Sequence, residues 1–252
     1  MGVTPSGLFT VGAVPAHLLD RFDQLVDQRR AGTPAQYLIG RAAFRTVEVE
    51  VGPGVFIPRP ETEVMTGWAI DRLTERVDAN QVVVELCAGS GAVSLAIWTE
   101  LPGLVQYAVE ISATAIEYAD RNLAGTGVIV VQGDLADALP ELTGGVDLII
   151  CNPPYVPLES HDTVPAEVRD HEPALALFSG ADGLDAMRML THTAARLLKP
   201  GGWVCAEHAE VQAESAPAVF VGHGGFEQVR DHRDYNDRPR FVTGRRAGAV
   251  AG

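Results

Sequence analysis

Cysteine is scarce in this chain. Only Cys87, Cys151 and Cys205 occur in 252 residues, far apart and with no C-x-x-C pair. That argues against a disulfide framework or a cysteine-based zinc site. The thiols read instead as small buried side chains near strand ends. Basic residues are also few: 19 Lys and Arg stand against 33 Asp and Glu, a formal net charge of −14. Duplex nucleic acid is held by cations that neutralise its phosphates, so no duplex partner is expected. An acidic surface suits a basic protein partner or serves solubility. No apolar run reaches membrane-spanning length, and the opening Met1-Gly2-Val3-Thr4-Pro5 lacks a basic stretch followed by an apolar one. The expected location is therefore a reducing cytoplasm, away from membranes. The seven histidines show no H-E-x-x-H or paired spacing, so no metal site is expected.

What remains is ordinary globular composition, 46% hydrophobic and 21% charged, enough for one α/β domain and a small appendage. Residues 1–14 carry no periodicity and read as loose. Leu18, Leu19, Phe22, Leu25 and Val26 fall at helical spacing over 16–31, with Gly32 as a stop. Alternation through Phe44, Val47, Val49 and Val51, then Gly52-Pro53-Gly54 and Val55-Phe56-Ile57, predicts a β-hairpin over 42–57. Pro58-Arg59-Pro60 then opens a helix over 61–76, with Glu61 and Glu63 where the helix dipole favours them. Apolar runs at 82–87, 105–110, 128–132, 146–151 and 202–207 alternate with helical patterns at 91–101, 112–124 and 185–198. That rhythm predicts a parallel sheet covered on both faces. Two further strands are expected at 226–230 and 239–244, joined by an Asn236-Asp237-Arg238-Pro239 turn.

Four strand ends carry polar or glycine-rich sequence. After the first comes Cys87-Ala88-Gly89-Ser90-Gly91, where glycine permits positive φ and close ligand approach, and the following helix offers free N–H groups. Glu110 ends the second, placed to accept from both hydroxyls of a ribose. Asp134, after the third, could accept from an adenine amino group while Leu135 packs on the ring. By itself the loop fits NAD, S-adenosyl-L-methionine or a plain tight turn. Ser94 stands where the dinucleotide fingerprint wants Gly or Ala.

Asn152-Pro153-Pro154-Tyr155 follows the fourth run, Val146–Cys151. Two prolines stiffen the turn and hold Asn152 extended. An exposed carboxamide, nearby carbonyls and an aromatic ring form a receptor for a flat NH2 group. In this reading the Asn152 Oδ1 and the Pro153 carbonyl accept the two hydrogens and Tyr155 packs on the plane. No general base is evident: the proton can leave to water, and Glu61 and Asp182 read as surface carboxylates, with a role as proton acceptors near the cleft as the alternative. His208 is expected at the cleft rim, Trp68 and Trp98 in the core, and Arg169-Asp170-His171-Glu172 as a charged loop over the cleft or a solvated one. Arg238 and Arg240 near the final strand read as edge-strand charges that serve solubility, with steering of a substrate as the alternative.

Those motifs, together with Thr33-Pro34-Ala35-Gln36-Tyr37-Leu38-Ile39-Gly40, Gly54-Val55-Phe56-Ile57-Pro58-Arg59-Pro60-Glu61-Thr62-Glu63, Glu172–Phe178 and Arg238–Val242, carry a resemblance. The chain resembles the bacterial protein-(glutamine-N5) methyltransferases over about residues 33–244. The resemblance implies a Rossmann-like class I methyltransferase fold: a seven-stranded, mostly parallel sheet whose last strand is antiparallel, with a small N-terminal helix and β-hairpin. It implies a shortened helical segment over 1–40, a hairpin linker over 41–60 and a methyltransferase domain over 61–252. It implies S-adenosyl-L-methionine at Cys87, Ala88, Gly89, Ser90, Gly91, Glu110, Asp134, Leu135 and Asn152, and a glutamine side chain held by Asn152, Pro153, Pro154 and Tyr155. The family's usual substrate is the Gly-Gly-Gln loop of peptide chain release factors. A ribosomal-protein glutamine, a small specialised metabolite, an adenine amino group and a non-catalytic scaffold are the alternatives.

Overall fold

A computed structural model describes residue 12 and residues 15–75 and 80–248. Most of the stretch read as loose, 1–14, lies outside the described residues. Helix α1 (Ala16–Arg30) ends where Gly32 adopts φ +101°. None of its side chains is buried, and Leu19 and Phe22 are exposed. Helix α2 (Ala35–Ile39) leads into strands β1 (Arg41–Phe44) and β2 (Val47–Glu50).

The hairpin turns earlier than its pattern suggested. Phe44 pairs with Val47, so Arg45-Thr46 is the turn. Arg45 sits at φ +49°, anchored by two bonds to Glu100 of 2.6 and 2.7 Å and one to the Glu63 carbonyl of 2.9 Å. Residues 51–57 form no strand, because Pro53 has no N–H for a ladder. Val51, Val55 and Ile57 are nevertheless buried, which is why the alternation extended so far.

Helix α3 (Pro60–Thr74) starts on Pro60 with Glu61 and Glu63 in its first turn. The sheet follows: β3 (Val82–Leu86), α4 (Ala92–Glu100), β4 (Val105–Glu110), α5 (Ala113–Asn122), β5 (Ile129–Gln132), β6 (Val146–Cys151), α6 (Ala166–Arg169), α7 (Asp185–Leu197), β7 (Leu198–Glu207), α8 (Ser215–His223), β8 (Phe226–Arg233) and β9 (Pro239–Arg246). Strand order is β5-β4-β3-β6-β7-β9-β8, and β9 alone runs opposite to the other six strands. Helix α8 is additional to the helical patterns read from the sequence, and its Pro217 lies in the first turn, where a missing N–H breaks no intrahelical bond.

Within β6, Ile149 joins a core with Leu190 and Phe220, whereas Leu148 and Ile150 join one with Met65, Ile97 and Phe44. The continuous apolar run thus serves two faces. β3 lies between β4 and β6. Chain order reverses there, and the carboxyl ends of the strands open a crevice.

Candidate active site

That crevice is a cleft of about 420 Å³, walled by the glycine loop, the ends of β4, β5 and β6, and the segments 54–62 and 164–177. Cys87, Ala88, Gly89, Ser90, Glu110, Asp134, Leu135, Asn152, Pro154 and Tyr155 line it. Pro153 is buried behind them. Gly91 starts α4 at φ +76°, and a β-carbon there would press on Leu123. Only glycine accepts both constraints. Cys87 also has positive φ, +58°.

Glu110 is 8% exposed. Its Oε2 accepts from the Gly89 N–H at 2.8 Å and its Oε1 from the Ser112 N–H at 2.9 Å. The carboxylate therefore braces the glycine loop and the start of α5, and each oxygen retains lone-pair capacity toward the cleft. Asp134 Oδ1 accepts from the Ala136 N–H at 2.8 Å, holding that turn. Ser94, the departure from the dinucleotide pattern, serves a local purpose, since its N–H (2.9 Å) and its hydroxyl both donate to Glu85 Oε2. Burial raises the Glu85 carboxyl to about 7, against the pull of those donors.

At the β6 end, Asn152 Nδ2 donates to Thr62 Oγ1 at 3.2 Å. Thr62 in turn donates to Glu207 Oε2 at 2.6 Å, and the Tyr155 hydroxyl donates to Glu207 Oε1 at 2.9 Å. Burial raises the Glu207 carboxyl, while the Thr62 and Tyr155 donors and the Arg240 guanidinium oppose the shift. The Tyr155 hydroxyl is raised by burial and by the Glu207 charge. Gln212 Nε2 clamps the next stretch by donating to the carbonyls of Tyr155 (3.0 Å) and Asp182 (3.1 Å). Across the cleft, buried Glu172 accepts from the Ile57 N–H at 3.1 Å and pairs with Arg59.

Several sequence expectations shift. His208 is fully buried rather than at the rim, with Nε2 2.9 Å from Asp231 Oδ1 and Nδ1 2.9 Å from the Ala209 carbonyl. Trp98 is 37% exposed, because the buried positions of α4 are Ala92, Val93, Ser94, Ala96 and Ile97. Trp68 packs edge-on to Trp203 at 5.6 Å. Arg240 lies on an internal strand, not an edge, and its side chain is 14% exposed beside Asp234. Asp182 is a surface group whose carboxyl Arg188 pulls down to about 2. Within 169–172, Arg169 and Asp170 form a surface pair while Glu172 is buried. Glu207, Thr62, Glu85 and Glu172 were not singled out as site residues. The one available signal was a lone carboxylate at the end of an apolar strand, as in Val84-Glu85 and Ala206-Glu207. Among the described residues no cluster of three or more His, Cys, Asp or Glu could hold a metal, and no helix is long and apolar enough to cross a membrane.

A family model described as "Methyltransferase small domain" matches residues 47–168. A release factor glutamine methyltransferase of Streptomyces coelicolor is 48% identical over 227 residues, covering 90% of this chain and 81% of the relative. A 4-amino-L-phenylalanine/4-methylamino-L-phenylalanine methyltransferase of Streptomyces pristinaespiralis is 40% identical over 240 residues, covering 93% and 80%. Among solved structures, a methyltransferase from Pyrococcus furiosus superposes with a TM-score of 0.56 at 17% identity, covering 88% of this chain and 99% of that one.

Proposed function

Because the chain belongs to the release factor glutamine methyltransferase family, we propose that it transfers a methyl group from S-adenosyl-L-methionine to the N5 of a glutamine side chain. The substrate is the Gly-Gly-Gln loop of a peptide chain release factor. One observation carries the reading: Asn152, Pro154 and Tyr155 line the same cleft as the glycine loop, Glu110, Asp134 and Leu135.

The donor set fits this methyl donor. Glu110 and Asp134 make the cleft wall acidic, and Arg59, the single Lys or Arg among the lining residues, is paired with Glu172. Such a wall favours a cationic sulfonium over a diphosphate. Glu110 accepts from the ribose hydroxyls. Asp134 accepts from the adenine amino group, and Leu135 packs on the ring. The bound cofactor supplies a methyl group already activated by its sulfonium.

What the protein adds is alignment. An amide nitrogen is a weak nucleophile because its lone pair is delocalised into the carbonyl. Asn152 Oδ1 and the Pro153 carbonyl accept the two amide hydrogens and turn the nitrogen toward the methyl group, while Tyr155 covers the amide plane. Holding both partners in an in-line arrangement lowers the entropic barrier, and the oriented acceptors stabilise the charge that develops on nitrogen. The proton leaves to water.

A second reading uses the same receptor for a small arylamine, as the name of the Streptomyces pristinaespiralis relative suggests. Incubation with labelled cofactor and either purified release factors or 4-amino-L-phenylalanine separates the two, with mass spectrometry locating the methyl group. Asn152→Ala should lower turnover by about 10²-fold, the scale of losing an orienting polar group, with cofactor affinity unchanged. Wild-type turnover in that variant would remove Asn152 from the mechanism.

A further inference from the structure

We propose that Thr62 and Glu207 are positioning residues that fix which way the Asn152 carboxamide faces; the inference rests on Asn152 being the amide receptor. A carboxamide has two ends of nearly equal shape. Only its oxygen can accept a substrate N–H, so the receptor works in one of two orientations. Nothing in the Asn-Pro-Pro-Tyr turn itself chooses between them.

The choice is made by a chain of hydrogen bonds that ends on an acceptor without a proton. Glu207 closes β7 at 1% exposure, and Thr62 lies in the first turn of α3 at 3%. Two hydroxyls converge on this carboxyl, Thr62 on Oε2 and Tyr155 on Oε1. With the Arg240 guanidinium they oppose the upward push of burial and favour the ionised form, which can only accept. The Thr62 hydroxyl has one hydrogen, and at 2.6 Å it gives that hydrogen to Glu207 Oε2. Its oxygen can then only accept from Asn152, which presents Nδ2 at 3.2 Å. Reversing the carboxamide would set two oxygens against each other. Asn152 Oδ1 is thereby left for the cleft. The other carboxylate oxygen takes the Tyr155 hydroxyl at 2.9 Å, so one buried anion sets both the receptor's acceptor and the ring beside it.

Glu207→Gln keeps size and shape but adds a donor. When its amide faces Thr62, the hydroxyl is free to donate to Asn152 Oδ1 and reverse the carboxamide. Thr62→Val keeps the shape and removes the relay.

The test uses the whole protein, purified release factor as substrate, cofactor calorimetry and thermal melting. Both variants should lose kcat by about 10- to 100-fold, the scale of one misdirected buried hydrogen bond, with cofactor Kd unchanged, and Thr62→Ser should restore it. In an Asn152→Ala background Thr62→Val should not lower kcat further, a non-additivity that a merely structural role would not produce, whereas Glu207→Gln should keep only the part of its loss that runs through Tyr155. Independently of turnover, the Asn152 side-chain amide resonance, assigned by its loss in Asn152→Ala, should move in Glu207→Gln and in Thr62→Val and keep its wild-type position in Thr62→Ser. An unmoved resonance, wild-type kcat in both variants, or an undiminished kcat loss from Thr62→Val in the Asn152→Ala background would overturn the proposal. If Asn152→Ala lowers kcat while the two relay variants do not, the relay alone fails. If Asn152→Ala itself is wild-type, the receptor reading fails first. Should Thr62→Val not fold, the isosteric Glu207→Gln carries the resonance, kcat and cofactor-affinity comparisons.

Discussion

Replacing Glu110 with alanine tests the cofactor half of the cleft. In the folded chain its two oxygens accept the Gly89 and Ser112 N–H groups at 2.8 and 2.9 Å, and the residue is 8% exposed. A hydrogen bond from a hydroxyl to a charged acceptor contributes about 1.5–3 kcal/mol. Two ribose hydroxyls would lose at most twice that. Water reaches the open cleft and recovers part of it, which leaves about 2–3 kcal/mol, or about 30- to 150-fold in Kd. Calorimetry with S-adenosyl-L-methionine reads this directly. Loosening of the glycine loop could produce the same loss, so a ligand lacking both ribose hydroxyls is the control. It should bind the wild type and Glu110→Ala alike. Glu110→Gln keeps one acceptor oxygen and should fall between, near 10-fold. An unchanged Kd in Glu110→Ala would refute the ribose assignment, and equal losses for both ligands would make Glu110 a loop brace only.

Three further outcomes follow from the geometry. The Glu85 carboxyl is raised from 4.5 to about 7 by burial, so its contribution to stability is present below about pH 4.5 and lost as pH rises through about 7. Glu85→Gln should match the wild type near pH 5 and exceed it by a few kcal/mol at most near pH 8, at about 1.4 kcal/mol per pKa unit; parallel urea-denaturation curves across that window would contradict this. Gly183 sits at φ +76°, where a β-carbon would overlap the Tyr155 carbonyl and the Gln212 amide. Gly183→Ala should therefore cost more than about 1 kcal/mol and lower kcat by shifting Tyr155, and a wild-type melting temperature would count against it. Glu172→Ala strands the Ile57 N–H and leaves the Arg59 guanidinium, 26% exposed, without its partner. A loss of about 2–4 kcal/mol is expected, and chemical denaturation showing less than about 0.5 kcal/mol would show that solvent replaces the carboxylate.

Local sequence was enough to identify the strands that build the cleft. Leu148, Ile149 and Ile150 are apolar in succession because each faces a different core from its neighbour, and that demand is visible without knowing what covers the sheet. The glycine loop was legible for a similar reason, since Gly91 answers a backbone conformation set within a few residues. Asn152-Pro153-Pro154-Tyr155 was legible because proline rigidity is a property of the covalent chain. The hairpin turn was misplaced where a distant contact decides it: Arg45 is held in its turn by Glu100, 55 residues away.

The partners that orient the reactive groups depend on tertiary structure alone. Thr62 meets Glu207 across 145 residues, Tyr155 meets Glu207 across 52, and Glu172 reaches Ile57 across 115. No periodicity or motif encodes such meetings, because a hydrogen bond depends on where two backbones pass and not on spacing along one of them. Amino-acid order determined the chemical groups available at each strand end; the packing of α3 against β6 and β7 decided which of their atoms face the cleft.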